Sequence, residues 1–282
     1  MLIVWRYLLN VGGSGVEETE LRRLLRPASH QGRLAENRED RSDPMLSGVL
    51  SEMRALGLIE RDESGKVSLG ATSPNGDDGT FLEFVEKRLL HPEVAEKHGQ
   101  AKVPGALAWF LVQDPARPLT WSQNYRAEVE ADCGPDTGAF DLTDVARFEQ
   151  FVYWARYLGF AWRLETREAN VVFPDPTVAL ARHLPKVIGG KGATPIQDVM
   201  TKLAERLPVI EGGAARLAVE SQLPLNKRRP DGQLSRSTSL AMERLELLGR
   251  LVLERPADAP AVNLDRSSGP RAVSHLTWRD GG

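Results

Sequence analysis

The sequence predicts a mostly helical α+β chain with small β-hairpins, made of three similar units in tandem. Three stretches carry that prediction. Each is a helix with one apolar face, closed by Leu-Gly and trailed by extended runs: Met45 to Glu60, Val145 to Trp162, and Ser239 to Leu253. The closing glycines, Gly57, Gly159 and Gly249, stand 102 and then 90 residues apart. A period of that size is a domain, not a solenoid repeat.

In the first unit a short helix runs through Asn10, the loop Val11-Gly12-Gly13-Ser14-Gly15 follows, and a second helix spans about Glu17 to Leu25. Residues 27–43 are polar and charged and read as a solvated loop. Asp43 can cap the third helix, with Pro44 at its first position. Leu46, Val49, Leu50, Met53 and Leu56 then share one face. Gly57 supplies the positive φ that ends the helix. Leu58–Arg61 reads as a strand, Asp62–Gly65 as a turn and Lys66–Leu69 as the returning strand. A helix closed by such a hairpin is the pattern of a winged helix-turn-helix, so the expected fold is three tandem winged-helix-like domains. The breaker-rich stretch 71–79 reads as a linker.

The second unit is the most aromatic. Helices are expected over Phe81–Leu90 and Gly105–Val112, and another over 118–130, starting near Trp121. A hairpin over Phe160–Phe173 has its tip at Arg163–Asn170, and Asp175-Pro176-Thr177 starts a connecting helix to His183. Trp109, Trp121, Trp154 and Trp162 read first as core and second as a protein-docking surface. In the third unit Thr194 caps a helix whose apolar face holds Val199, Leu203 and Leu207. Ala214–Gln222 is the next helix, Asn226–Gly232 a basic turn, and the last helix starts near Ser237-Thr238. Its hairpin tip is expected at Glu254–Ala261, and the residues from Gly269 read as a strand or tail. The expected domains are 1–75, 76–188 and 189–282.

Length and composition fit this division: 282 residues hold two or three small domains, and 41% hydrophobic with 27% charged residues are globular values. The single Cys133 excludes an internal disulfide and suits a reducing cytoplasm. The apolar start, Met1–Leu9, is too short to span a membrane and is interrupted by Arg6. A cytoplasmic protein is the expectation. The net charge of −3 argues against a dominant, sequence-independent grip on DNA. The charge is uneven, however. Residues 186–282 carry 15 Lys and Arg against 11 Asp and Glu, whereas residues 71–139 carry 6 against 11. The C-terminal third is therefore the more suitable nucleic-acid face.

No catalytic constellation is visible, and no cofactor is expected. The five histidines are scattered, and none joins cysteines or carboxylates at metal-ligand spacing. Gly189–Thr194 lacks the first glycine of a phosphate loop and the Ser or Thr after its Lys. Cys133 sits beside Asp132, which discourages a thiolate.

What remains is a binding surface. A winged helix lays its third helix in the major groove, and its wing touches the backbone. The candidate contacts in the first unit are Ser47, Ser51, Arg54 and, on the wing, Lys66. Those in the third are Lys227, Arg228, Arg229 and Arg236, followed by Ser237, Thr238 and Arg244. A basic lead-in before a Ser-rich helix start suits phosphate contact, because free N–H groups and the helix dipole favour anions there.

Three such units, with the middle one holding Ala106-Leu107-Ala108-Trp109-Phe110-Leu111-Val112-Gln113-Asp114-Pro115, resemble the DpdG-type proteins of bacterial gene clusters that combine DNA modification with phage defence. The resemblance spans most of the chain and offers no catalytic residues. It implies a non-enzymatic component working beside helicases and nucleases. The triple repeat with its basic third unit adds the reading of a DNA-associated adaptor in a multi-protein defence or restriction complex, with a helicase, ATPase or nuclease and double-stranded DNA as candidate partners. The near-neutral charge equally suits a purely protein-binding subunit, like the winged-helix accessory proteins of chromosome-organising complexes. A transcriptional regulator is the third reading, without an evident effector domain or dimerisation helix.

Overall fold

The computed structural model describes residues 1–25, 44–120, 125–134, 140, 142, 144–190, 192–256 and 258–280. The loop expected over 27–43, the Asp43 cap and the helix start near Trp121 fall outside them. The chain is α+β with small antiparallel sheets, and it divides into two compact units, Met1–Arg88 and Leu89–Gly282.

The first unit holds α1 (Leu2–Val11), β1 (Val16–Glu17), α2 (Glu18–Leu25), α3 (Pro44–Ala55), β2 (Ile59–Arg61) and β3 (Lys66–Leu69), and it takes in most of α4 (Asp78–Leu90). Its sheet has the order β1-β3-β2. Leu46, Leu50, Met53 and Leu56 of the amphipathic face are buried, together with Trp5, Leu21 and Val67. The Trp5 and Phe81 rings lie 5.0 Å apart, and the indole Nε1 donates to the Pro74 carbonyl at 3.1 Å.

The second unit continues with α5 (Pro92–Lys97), α6 (Val103–Val112), β4 (Leu119–Thr120), α7 (Tyr125–Cys133), α8 (Val145–Tyr157), β5 (Ala161–Glu165) and β6 (Asn170–Pro174). The strands form a sheet of order β4-β6-β5. Then come α9 (Thr177–Ile188), β7 (Thr194–Pro195), α10 (Ile196–Arg206), α11 (Ala214–Gln222), a 3-10 turn at Leu225–Lys227 and α12 (Arg236–Leu247). β8 (Leu251–Glu254), β9 (Val262–Leu264), β10 (Arg271–Val273) and β11 (His275–Trp278) complete it, with a sheet of order β7-β11-β8.

One plan thus recurs three times: helix, two-residue strand, helices, then two longer strands. The short strand pairs with the last strand, which also pairs with the first strand after the third helix. The closing glycines occupy one setting. Gly57, Gly159 and Gly249 have φ of 66°, 83° and 70°. Each N–H donates three residues back, and the next residue reaches five back: Leu58 to Met53 at 2.8 Å, Phe160 to Ala155 at 2.8 Å, and Arg250 to Leu245 at 2.9 Å. This is a Schellman cap, which only a residue tolerant of positive φ completes without strain.

The third copy departs from the expected hairpin. β8 pairs with β11, not with the residues after Glu254, and β9 and β10 form a hairpin of their own in between. The segment Arg255–Pro260 carries two prolines, which cannot donate to a ladder, so the chain leaves the sheet after Glu254. The second and third copies also share one compact unit, with α6 packed on both α11 and α12.

Candidate nucleic-acid interface

The basic turn between α11 and α12 gathers four of the candidate contacts. Lys227, Arg228, Arg229 and Arg236 line one cavity of about 210 Å³ together with Asp114, Glu220 and Asp265. Their charges are largely directed inward. Lys227 meets Asp132, whose side chain is 0% exposed. Asp132 also accepts from Trp109 Nε1 and Gln113 Nε2, both at 2.9 Å. Arg236 pairs with Asp114 at 2.8 Å. Arg229 donates to Glu220 at 3.3 Å and to the Gln233 carbonyl at 2.6 Å. Arg228 differs: it caps the end of α11 through the Ser221 and Leu223 carbonyls, both at 2.8 Å, and meets no carboxylate among the described residues. Arg244 stands apart from the group, paired with Asp175.

Ser237 and Thr238 lie inside the protein, each 1% exposed. The Ser237 hydroxyl donates to the Leu111 carbonyl at 2.6 Å, and that of Thr238 donates to Glu211 at 2.8 Å. The start of α12 is already capped, since Ser235 Oγ accepts from the Thr238 N–H and the Ser235 N–H donates to Glu211 at 2.8 Å. So the expectation of a free, phosphate-facing helix start meets a buried one. The Ser237 hydroxyl is spent on α6 and that of Thr238 on Glu211, in the turn between α10 and α11.

Glu211 anchors the start of α12 to α11. It is 4% exposed and lies 3.6 Å from Arg216, itself 1% exposed, which pairs with Glu220 at 2.8 Å. Burial alone would push the Glu211 carboxyl up. The Arg216 charge and the hydrogen bonds from Ser235 outweigh it and hold the carboxyl below its ordinary value. Cys133 behaves oppositely: burial, then the Asp132 charge, push its thiol up to about 11. It therefore stays protonated at neutral pH.

In the first unit, Ser51 and Lys66 are exposed. Lys66 stands opposite Glu17 in the β1–β3 ladder. Ser47 accepts from Arg22 at 2.8 Å. Arg54 pairs with Glu18 at 2.7 Å, and Glu18 also holds Arg22 at 2.6 Å and Arg61 at 3.5 Å. Sequence reasoning missed the carboxylates Glu18, Asp132 and Glu211, which decide where the basic residues point. For Glu18 a signal was available in its i,i+4 spacing to Arg22.

The model of the DpdG-like family matches residues 1–259, nearly the whole chain. The chain belongs to that family. Membership of the DpdG-like family suggests a protein of a DNA-modification and defence cluster. Searches of curated proteins and of solved structures returned no match. Among the described residues no helix is long and apolar enough to cross a membrane.

Proposed function

We propose that this DpdG-like chain is a non-enzymatic adaptor subunit of a multi-protein defence complex, built from three winged-helix-like units and engaging DNA as part of that complex. The observation that carries the reading is the strand order found three times over, short strand, last strand, first strand, with the same glycine cap before the first long strand. Helix, strand, two helices and a two-stranded wing is the winged-helix plan, which serves DNA and protein contacts alike. The inward pairing of Lys227, Arg229 and Arg236 favours an adaptor over an independent DNA reader. Of the candidate contacts, Lys66 on the first wing and Arg228 are exposed cations without an ion pair among the described residues, and the Arg228 guanidinium meets carbonyls.

The purely protein-binding reading has one observation of its own, the buried start of α12. Co-expression with the products of the adjoining genes, followed by duplex-binding titrations in salt, separates the two. The complex should bind a short duplex with affinity falling as salt rises. Lys66→Ala with Arg228→Ala should flatten the log–log slope by about 2, roughly one per phosphate contact. A complex with no salt-dependent binding leaves only the protein role. An isolated chain binding DNA as tightly as the complex would overturn the adaptor reading.

A further inference from the structure

Beside the basic cluster, the second unit holds a much larger groove of about 770 Å³. That volume is within the range of clefts, roughly 300–1,000 Å³, that enclose a ligand of drug size. α10 lends Met200, Thr201, Ala204 and Glu205, α5 lends Glu93 and Val94, and Pro208 and Leu234 add further apolar surface. The lining is more apolar than polar.

Its charges are unequal in kind. Glu211 lines the groove but is spoken for by Arg216, Ser235 and Thr238. Arg229, the cation in the lining, is engaged by Glu220 and the Gln233 carbonyl. Glu93 and Glu205 are exposed, and among the described residues neither forms an ion pair. An apolar groove bordered by two uncompensated carboxylates attracts a ligand that is both apolar and cationic. An anion, DNA included, would meet repulsion there.

We infer that this groove docks a segment of a partner protein in which apolar side chains alternate with Lys or Arg. The apolar side chains would fill the space over Met200, Ala204 and Pro208, and the cations would meet Glu93 and Glu205. The inference rests on the adaptor reading and names where the partner is held and what chemistry it presents.

The test uses the full chain and two labelled hexapeptides, one alternating Leu and Lys, the other Leu and Glu. The Leu-Lys peptide should bind more tightly by about fivefold to tenfold, the worth of two exposed ion pairs. Glu93→Gln with Glu205→Gln should erase most of that preference. Thr201→Trp, at an exposed position on the groove, should fill it and weaken the Leu-Lys peptide about tenfold without shifting the melting temperature. Equal binding of both peptides, or unchanged affinity in Thr201→Trp, overturns the docking site. A second arm co-expresses the parent and Thr201→Trp with the adjoining gene products. If both co-purify with the same product, the groove is wrong and the adaptor stands. If neither does, the adaptor reading itself fails.

Discussion

At the scale of single residues, the buried carboxylates have the largest consequences. Glu211 accepts from the Ser235 N–H and the Thr238 hydroxyl and sits beside Arg216. Glu211→Ala would leave the Ser235 N–H and the Thr238 hydroxyl without this acceptor and Arg216 with Glu220 as its remaining carboxylate. Breaking a buried pair from one side costs about 3–5 kcal/mol, so the variant should unfold at clearly lower denaturant than its parent. Its pH dependence follows from the sign of the shift. The folded carboxyl lies below its ordinary value of 4.5. Its contribution is therefore present above that value and is lost as pH falls through the lower, folded one. The parent should lose stability over that acid window, and Glu211→Ala should lose less there. Equal acid slopes in chemical denaturation would contradict the assignment. None of this is legible in the sequence, where Glu211 is one acid in Val209-Ile210-Glu211-Gly212. Its partners come from 5, 24 and 27 residues away.

At the scale of elements, the three amphipathic helices and their glycine stops were legible because both signals are local. Periodicity picks out the buried face, and a positive-φ glycine needs no distant partner. What escaped reading had non-local causes. α5 was hidden by Pro92, which reads as a breaker but serves here as the first helical residue. α9 runs on to Ile188 through Pro185, carried by the buried Leu184, Val187 and Ile188. The hydroxyls of Ser237 and Thr238 look like surface groups until the Leu111 carbonyl and Glu211 arrive to satisfy them. The glycine stops also differ in a way that sequence cannot reveal. A Cβ at Gly249 would meet nothing within 4 Å, whereas one at Gly159 would lie 2.9 Å from the Ala179 nitrogen and the Val178 Cβ. Gly249→Ala should cost about 1–2 kcal/mol, the left-handed penalty alone. Gly159→Ala should cost more, because the start of α9 must also shift. Matching losses in urea unfolding would show that crowding plays no part.

At the scale of the whole molecule, one plan is used three times but not with equal independence. The first copy lies in Met1–Arg88, while the second and third share Leu89–Gly282. Within that larger unit the charge patterning of the sequence acquires a different meaning. The basic excess of residues 186–282 and the acidic excess of 71–139 read as a nucleic-acid face and a face averse to it. In the structure part of that complementarity is used internally, with Lys227 on Asp132 and Arg236 on Asp114. A fragment of residues 189–282 would strip α11 and α12 of α6. It would expose Arg216 and the start of α12 to water and leave Lys227 and Arg236 without their carboxylates. Residues 89–282 keep all of these contacts. The longer fragment should therefore melt in one cooperative transition, and the shorter one should show weak near-ultraviolet dichroism and a shallow, low-temperature melt. Moderate salt should lower the melting temperature of the longer fragment only slightly, since Asp132 and Glu211 are too deeply buried to be screened well. A 189–282 fragment that melts as sharply and as high as 89–282 would mean that the third copy is autonomous and that the basic turn is free to serve a ligand.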